Sequence, residues 1–289
     1  MKKPSFQRVE GKDFQLTDCP TLSPTSPYRD PKAALKAAAR RIDDVQQRLH
    51  AEARQSLLVI FQAMDAGGKD STIRAVFRRV NPAGCRVHSY QAPSLEERSH
   101  DFLWRCVRDL PAAGQISIFN RSYYEEVLTV RVHPQWLKAQ GPVAGREPAA
   151  VWASRFASIR HFEQHLSENR TRVIKFWLHV SPEEQGRRLL DRLDPPDKQW
   201  KFSPSDLEAR AQWPTYQAAA EAMIRETATP TAPWFVIPAD DKPVMRATVA
   251  SILAETLEAM TPAQPRLDDD IASRLSDYRQ ALRGRGKDQ

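Results

Sequence analysis

Cysteine is almost missing from this chain. Its three residues in 289, Cys19, Cys85 and Cys106, are odd in number and widely spaced. They form neither a disulfide framework nor a CxxC metal pair. Reduced, buried thiols in a cytoplasmic protein are therefore the expectation. Long apolar runs are missing too: none approaches the ~20 residues that cross a bilayer. The start Met1-Lys2-Lys3-Pro4-Ser5 is basic, but no apolar stretch follows it, so no signal peptide is expected. There is no internal repeat, no Ser-His-Asp arrangement and no zinc-ligand spacing. What is present is 41% hydrophobic residues, enough to build the core of a large α/β domain. The net charge of +7 and a pI near 9.4 point to an anionic partner: nucleic acid, a membrane surface or a phosphate-rich substrate.

One stretch narrows that choice. Leu57-Leu58-Val59-Ile60-Phe61-Gln62 reads as a buried strand, and Ala63-Met64-Asp65-Ala66-Gly67-Gly68-Lys69-Asp70 as a glycine turn opening a helix. Backbone N–H groups of such a turn point at an anion, and the lysine adds a point charge. A strict P-loop reads G-x-x-x-x-G-K-[ST]. Here Ala63 replaces the first glycine and Asp70 the Ser/Thr, and Asp65 adds a carboxylate inside the loop.

Strands and helices alternate around this motif. Residues 1–31, with Pro20, Pro24, Pro27 and Pro31, read as an extended arm. Leu35, Ala39, Ile42, Val45 and Leu49 mark a helix over 32–54. Further strands are expected at 85–90, 115–120, 173–180 and 234–238. Ser94 and Glu97 form a capping box opening a helix to about 109. Another helix is expected from about 122, a loop over 138–149, a helix carrying Trp152 to Leu166, and a last core helix over 241–259. Ser181-Pro182-Glu183-Glu184 and Ser203-Pro204-Ser205-Asp206 are both strong helix starts. Five strands with helical crossovers predict a parallel sheet of right-handed βαβ units, with ligand outside the strand carboxyl ends. Asp65, Lys69, Asn120 and Arg121 all follow strand ends and are expected to converge.

Phosphoryl transfer needs positive charge on the phosphoryl oxygens, metal ions, and alignment of nucleophile with leaving group. Lys69 fits the first role. Asp65 fits as a Mg²⁺ ligand or as the carboxylate that orients the attacking phosphate, and Asp70 is a further candidate. Where P-loop enzymes usually place a metal-binding aspartate, this chain has Asn120, followed by Arg121, a natural bidentate phosphate clamp. Arg188 and Arg192 lie four apart on one helix face. The Asp194-Pro195-Pro196-Asp197 break then leads to Lys198 and Lys201, so this segment reads as a lid that carries cations to phosphate. Asn81-Pro82 and Tyr90 to Ser94 are candidates for an acceptor pocket. His133, His179, Trp152, Phe156 and Phe162 read as structural.

Three of these segments, Gln62–Asp70, Ile118–Leu128 and the lid-like Leu193–Phe202, resemble polyphosphate kinase family 2. Shorter matches lie at Asn81–Cys85, Ala92–Ser94, Val130–Pro134 and Pro238–Lys242, and the likeness runs from about residue 10 to 260. It implies Mg²⁺-dependent transfer (Mn²⁺ being the alternative metal) from inorganic polyphosphate to AMP and ADP. It also implies a P-loop kinase-like fold similar to thymidylate kinases: a three-layer sandwich with a five-stranded parallel sheet and a helical lid over about 183–205. The single domain would span 1–262, with a charged tail over 263–289. The resemblance implies catalytic roles for Asp65, Lys69 and Arg121. Phosphate contacts would come from Ala66, Gly67, Gly68, Lys69, Asp70, Arg121, Arg188 and Arg192. Nucleotide contacts would come from Asn81, Pro82, Asn120, Glu126 and Arg131, and metal contacts from Asp65, Asn120 and Glu126. Asn120 with Tyr123-Tyr124-Glu125-Glu126 is similar to the subgroup accepting both AMP and ADP. A homo-oligomer, dimer or tetramer, is expected, with no nucleic-acid or membrane partner. The competing readings are an ATP-dependent nucleotide or small-molecule kinase and a non-catalytic polyanion binder.

Overall fold

The computed structural model describes residues 6–138, 147–264 and 266–284. Met1–Ser5, the glycines and Pro142 of the expected loop, and the last basic residues of the tail lie outside them. The chain opens with a short strand, β1 (Gln7–Val9), then a 3-10 turn (Leu16–Asp18) and the long helix α1 (Pro31–Glu52). Asp30 caps α1 by accepting the N–H groups of Lys32 and Ala33, and Pro31 takes the first helical position. β2 (Ser56–Ala63) runs into α2 (Lys69–Val76), and a 3-10 turn (Pro82–Gly84) leads into β3 (Cys85–Ser89). Two short helices, α3 (Leu95–Arg98) and α4 (Trp104–Val107), precede β4 (Ile116–Asn120). Then come a 3-10 turn (Tyr123–Glu126), α5 (Thr129–Val132), α6 (Pro134–Lys138) and α7 (Pro148–Glu168).

The second half holds β5 (Thr171–His179), α8 (Pro182–Leu193), a 3-10 turn (Pro196–Lys201), α9 (Pro204–Ala211) and α10 (Trp213–Thr227). β6 (Trp234–Pro238) and α11 (Lys242–Ala259) complete the core, and α12 (Asp269–Ser273) and α13 (Leu275–Gly284) form the tail. No helix among the described residues is long and apolar enough to cross a membrane.

The sheet order is β1-β6-β5-β2-β4-β3, and every pairing except β1–β6 is parallel. β2 lies between β5 and β4, and all eight of its residues are buried. A strand covered on both faces needs an apolar run such as Leu57 to Phe61. Helices α1, α2 and α11 pack together as one layer, and α7 packs on β5 beside α10 as the other. The fold is therefore a P-loop kinase-like three-layer α/β sandwich.

Three expectations change. The helix expected from about 122 is instead the 3-10 turn Tyr123–Glu126 followed by the short α5 and α6. The five parallel strands gain a sixth, antiparallel partner: Gln7, Arg8 and Val9 of the arm pair with Val236, Phe235 and Trp234, and Phe6 packs against the Phe235 ring. The helix expected from 94 to 109 is split. Its capping box forms, with Glu97 N–H donating to Ser94 Oγ and Ser94 N–H to Glu97 Oε2. Asp101 Oδ1 then accepts the Leu103 N–H and Ser99 Oγ donates to the Glu96 carbonyl, side-chain bonds that compete with a continuous helix.

Candidate active site

The carboxyl ends of β2 and β4 lie side by side, because Phe61 is the register partner of Asn120. This alone brings the loop Met64–Gly68 against the turn that starts at Arg121. The loop is tight: the Gly67 N–H bonds to the Met64 carbonyl at 3.0 Å. A Cβ on Gly67 would stand 2.6 Å from Ala63 Cβ and 2.8 Å from the Met64 oxygen, so no side chain fits there. Gly68 adopts φ 101°, a left-handed value, and caps α2.

Lys69, the first residue of α2, folds back into the loop and is only 7% exposed. Its Nζ donates to the carbonyls of Ala63 at 3.0 Å and Met64 at 3.4 Å. Burial, and then the neighbouring Arg121 charge, lower its pKa from 10.5 to about 8. Asp65 Oδ1 accepts from Arg121 Nη2 at 2.6 Å. Arg121 also faces Glu125 Oε2 at 3.9 Å; Glu125 and then Asp65 hold its charge more firmly than usual despite burial. Glu125 in turn accepts from Gln62 Nε2 at 3.1 Å and from Thr129 Oγ1. Asn120 Nδ2 donates to Asp70 Oδ1 at 2.7 Å. Asp65, Lys69, Asp70, Asn120 and Arg121 thus form one connected cluster. A cleft opens on it, lined by Met64, Asp65, Arg121, Glu125, Thr129 and Tyr216.

The lid arginines sit differently from each other. Arg188 is 4% exposed and lies under the loop. Its Nη1 donates to the carbonyls of Ala66 and Gly67, its Nη2 to those of Ala239 and Asp240, and its Nε to Glu184 Oε1 at 2.7 Å. It ties the phosphate loop to the turn after β6, so its donors face backbone and not the cleft. Arg192 is half-buried and bonds Asp206 Oδ2 at 3.4 Å. Gln185 of the same helix donates to the Asp65 carbonyl at 3.0 Å. The side chains of Lys198 and Lys201 lie outside the described residues.

Other expected site residues are not brought to the cluster. Asn81 and Pro82 precede β3, whose first residue pairs with Ile116 at the amino end of β4. They therefore sit at the opposite edge of the sheet from the loop, where Asn81 caps the Pro82–Gly84 turn through the Ala83 N–H. Glu126 is buried and its carboxylate meets Arg155 Nη1 at 3.2 Å on α7, so consecutive glutamates serve different neighbours. Arg131 lies over the Trp152 and Phe156 rings at 5.9 Å each. His133 meets the Tyr216 hydroxyl, and His179 accepts from Trp177 Nε1 with its pKa lowered to about 4 by burial.

Sequence reasoning missed Glu125, Gln185, Asp206 and Tyr216 near the cluster. It also missed a cationic flank behind the loop. Lys242 and Arg246, one turn apart on α11, face Arg188, and Arg246 also faces Arg74 of α2. Burial first, then Arg188 and Arg187, lower the pKa of Lys242 against the pull of Glu184 and Asp191; burial, then Arg74 and Arg188, lower that of Arg246. None of Arg74, Lys242 and Arg246 has an ion pair among the described residues, and Arg246 Nε is buried without a partner. Unpaired cations so close together mark a place for an anion.

Among the described residues no group of three or more His, Cys, Asp and Glu could hold a metal. Mg²⁺ does not need one: it is usually held by one or two carboxylates plus substrate phosphates, keeping several waters. Asp65 and Asp70, hard oxygen donors flanking Lys69, fit that mode.

A parallel sheet with a lysine-bearing glycine loop at its central strand and an arginine at the next strand end defines a P-loop kinase-like phosphotransfer protein. A family model described as Polyphosphate kinase 2 matches residues 26–265, and the chain belongs to that family. It is 44% identical to the ADP-polyphosphate phosphotransferase of Rhodopseudomonas palustris, over 98% of this chain and 99% of that one. It is 46% identical to the AMP/ADP-polyphosphate phosphotransferase of Meiothermus ruber, over 92% and 96%. The crystal structure of polyphosphate kinase 2 from Arthrobacter aurescens superposes with a TM-score of 0.85 at 36% identity, covering 94% of this chain and 95% of that one.

Proposed function

We propose that this protein transfers the terminal phosphoryl group of inorganic polyphosphate to ADP and to AMP, giving ATP and ADP, reversibly. The observation that carries the donor is the unpaired flank of Arg74, Lys242 and Arg246 beside the loop. A nucleoside triphosphate ends at three phosphates, whereas a longer polyanion can occupy the loop and continue over these cations. Family membership and the relatives that act on polyphosphate with ADP, or with AMP and ADP, support the same reading.

In this scheme Lys69 and the loop N–H groups hold the transferred phosphoryl, and Arg121 leaves Asp65 to clamp its oxygens. Asp65, so released, orients the acceptor phosphate or, with Asp70, holds Mg²⁺. The metal would neutralise charge developing on the phosphate oxygens. Arg188 keeps the loop in shape, and Arg192, released from Asp206, is the mobile arginine of the lid. Cytoplasmic location and a homo-oligomeric state belong to the same proposal.

The test supplies purified protein with Mg²⁺ and polyphosphate, with AMP in one tube and ADP in another, and no ATP. Product in both tubes is expected. Product from ADP alone would restrict the acceptor to the diphosphate, and product in neither would reject the function.

A further inference from the structure

Behind the cleft lies a polar group that the proposed chemistry does not use. Glu163 of α7 and Lys175 of β5 are fully buried and bonded at 2.6 Å, Oε2 to Nζ. Lys175 Nζ also donates to the Tyr124 hydroxyl at 3.1 Å and to the Thr227 carbonyl at 2.9 Å, so its three protons are all placed. The other carboxylate oxygen of Glu163 accepts from the hydroxyls of Tyr123 at 2.8 Å and Tyr124 at 2.7 Å. Two consecutive residues of one 3-10 turn thus converge on a single oxygen atom.

Such a charge pair is a poor choice for stability alone. Lys175 is a register partner of Ile60 on one side and Trp234 on the other, inside the apolar sheet. An apolar side chain there would avoid desolvation, and buried ion pairs replaced by apolar groups are often no less stable. What the pair does achieve is to fasten α7, β5 and the end of α10 to the turn Tyr123–Glu126. Two residues before that turn stands Arg121, with φ 65°, a left-handed backbone that is strained for a residue other than glycine. Its N–H is held by the Phe61 carbonyl at 3.0 Å. Ser122 Oγ accepts the Tyr124 N–H at 3.1 Å, and the tyrosine hydroxyls lock the far side.

We propose that Tyr123, Tyr124, Glu163 and Lys175 are positioning residues, which hold Arg121 in its strained backbone and aim its guanidinium at the transferred phosphoryl. They touch no substrate themselves. The inference rests on the proposed function, and its test separates the two. Wild-type transfer from polyphosphate to ADP is measured first; its absence would refute the function. Tripolyphosphate binding by calorimetry then reads Arg121 independently of turnover.

The test variant is Tyr123→Phe/Tyr124→Phe, which keeps both rings and removes both hydroxyls. Glu163→Gln/Lys175→Met, which removes both charges together, is the second variant in case the first does not fold. Either folded variant is expected to lose at least about tenfold in tripolyphosphate affinity and about thirtyfold in kcat, with KM for ADP within twofold. The same changes made in an Arg121→Lys background are expected to cost less than twofold further, because the group they position is already gone. Unchanged kcat and affinity in a folded variant would overturn the proposal. So would a loss that multiplies in full on top of Arg121→Lys, the behaviour of a merely structural defect.

Discussion

Raising the pH from 7 to 9.5 is expected to weaken tripolyphosphate binding about thirtyfold, and Lys69 is the reason. Its ammonium is buried among backbone carbonyls next to Arg121, and its pKa falls from 10.5 to about 8. The unliganded protein therefore holds the charge at pH 7 and has lost most of it at pH 9.5. A bound polyphosphate supplies the missing negative partner and returns the proton. With a free-state pKa of about 8, the charged fraction falls from about nine-tenths to about one-thirtieth, a cost of about 2 kcal/mol. Calorimetry in buffers of different ionisation enthalpy should report proton uptake approaching one per ligand above pH 8. Tripolyphosphate itself titrates in this range, so Lys69→Met is the subtraction: it should bind weakly at every pH, without the slope. The folding sign follows from the same shift. Between pH 8 and 10.5 the unfolded chain binds the lysine proton and the folded chain does not, so unliganded stability rises with pH across that window by up to about 3 kcal/mol. Affinity that is flat from pH 7 to 9.5 after subtraction, or a slope that survives in Lys69→Met, would refute the reasoning.

Asp65→Asn removes the carboxylate that occupies Arg121 at 2.6 Å. Metal-free tripolyphosphate should then bind roughly two- to tenfold more tightly while kcat falls by about 10² or more, a split that calorimetry and steady-state rates resolve. Gly67→Ala must move the loop, because its Cβ would lie 2.6 Å from Ala63 Cβ. A stability loss of about 1–3 kcal/mol should appear in denaturant unfolding, together with lost activity. Arg188→Ala leaves four loop and turn carbonyls without this donor and Glu184 with Arg187 alone. About 3 kcal/mol of destabilisation should lower Tm by roughly 6–12 °C in a calorimetric scan, and Arg188→Lys, lacking the fork, should not restore it.

The parts of this site that could be read from the chain are those set by local chemistry. The apolar run Leu57 to Phe61 makes β2 legible, and a glycine pair before Lys69 needs no tertiary information to be read as an anion loop. Arg121 follows a strand end, and parallel register does the rest. β1 was hidden because three residues, two of them polar, carry no periodicity; only the free edge of β6 makes them a strand. Arg188 and Arg192 share a helix face, yet spacing does not say that α8 lies on the loop, which buries Arg188 and leaves Arg192 at the rim. Asn81 and Pro82 are a different kind of error. A helix that follows a parallel strand returns the chain to the amino edge of the sheet, so residues between α2 and β3 must lie away from the loop. That signal was available. The buried bond between Lys175 and Glu163 was not, since an isolated lysine inside an apolar strand looks the same whether it is paired or misassigned.

Polyphosphate as donor is the central claim, and labelled substrate tests it most directly. Protein freed of nucleotide is mixed with Mg²⁺, ³²P-labelled polyphosphate and unlabelled ADP, with no ATP present, and the nucleotides are separated. Label is expected in the γ-phosphate of ATP from the first turnovers, and none with Lys69→Met. Label that stays in polyphosphate, with phosphoryl transfer appearing only once ATP is added as donor, would contradict it.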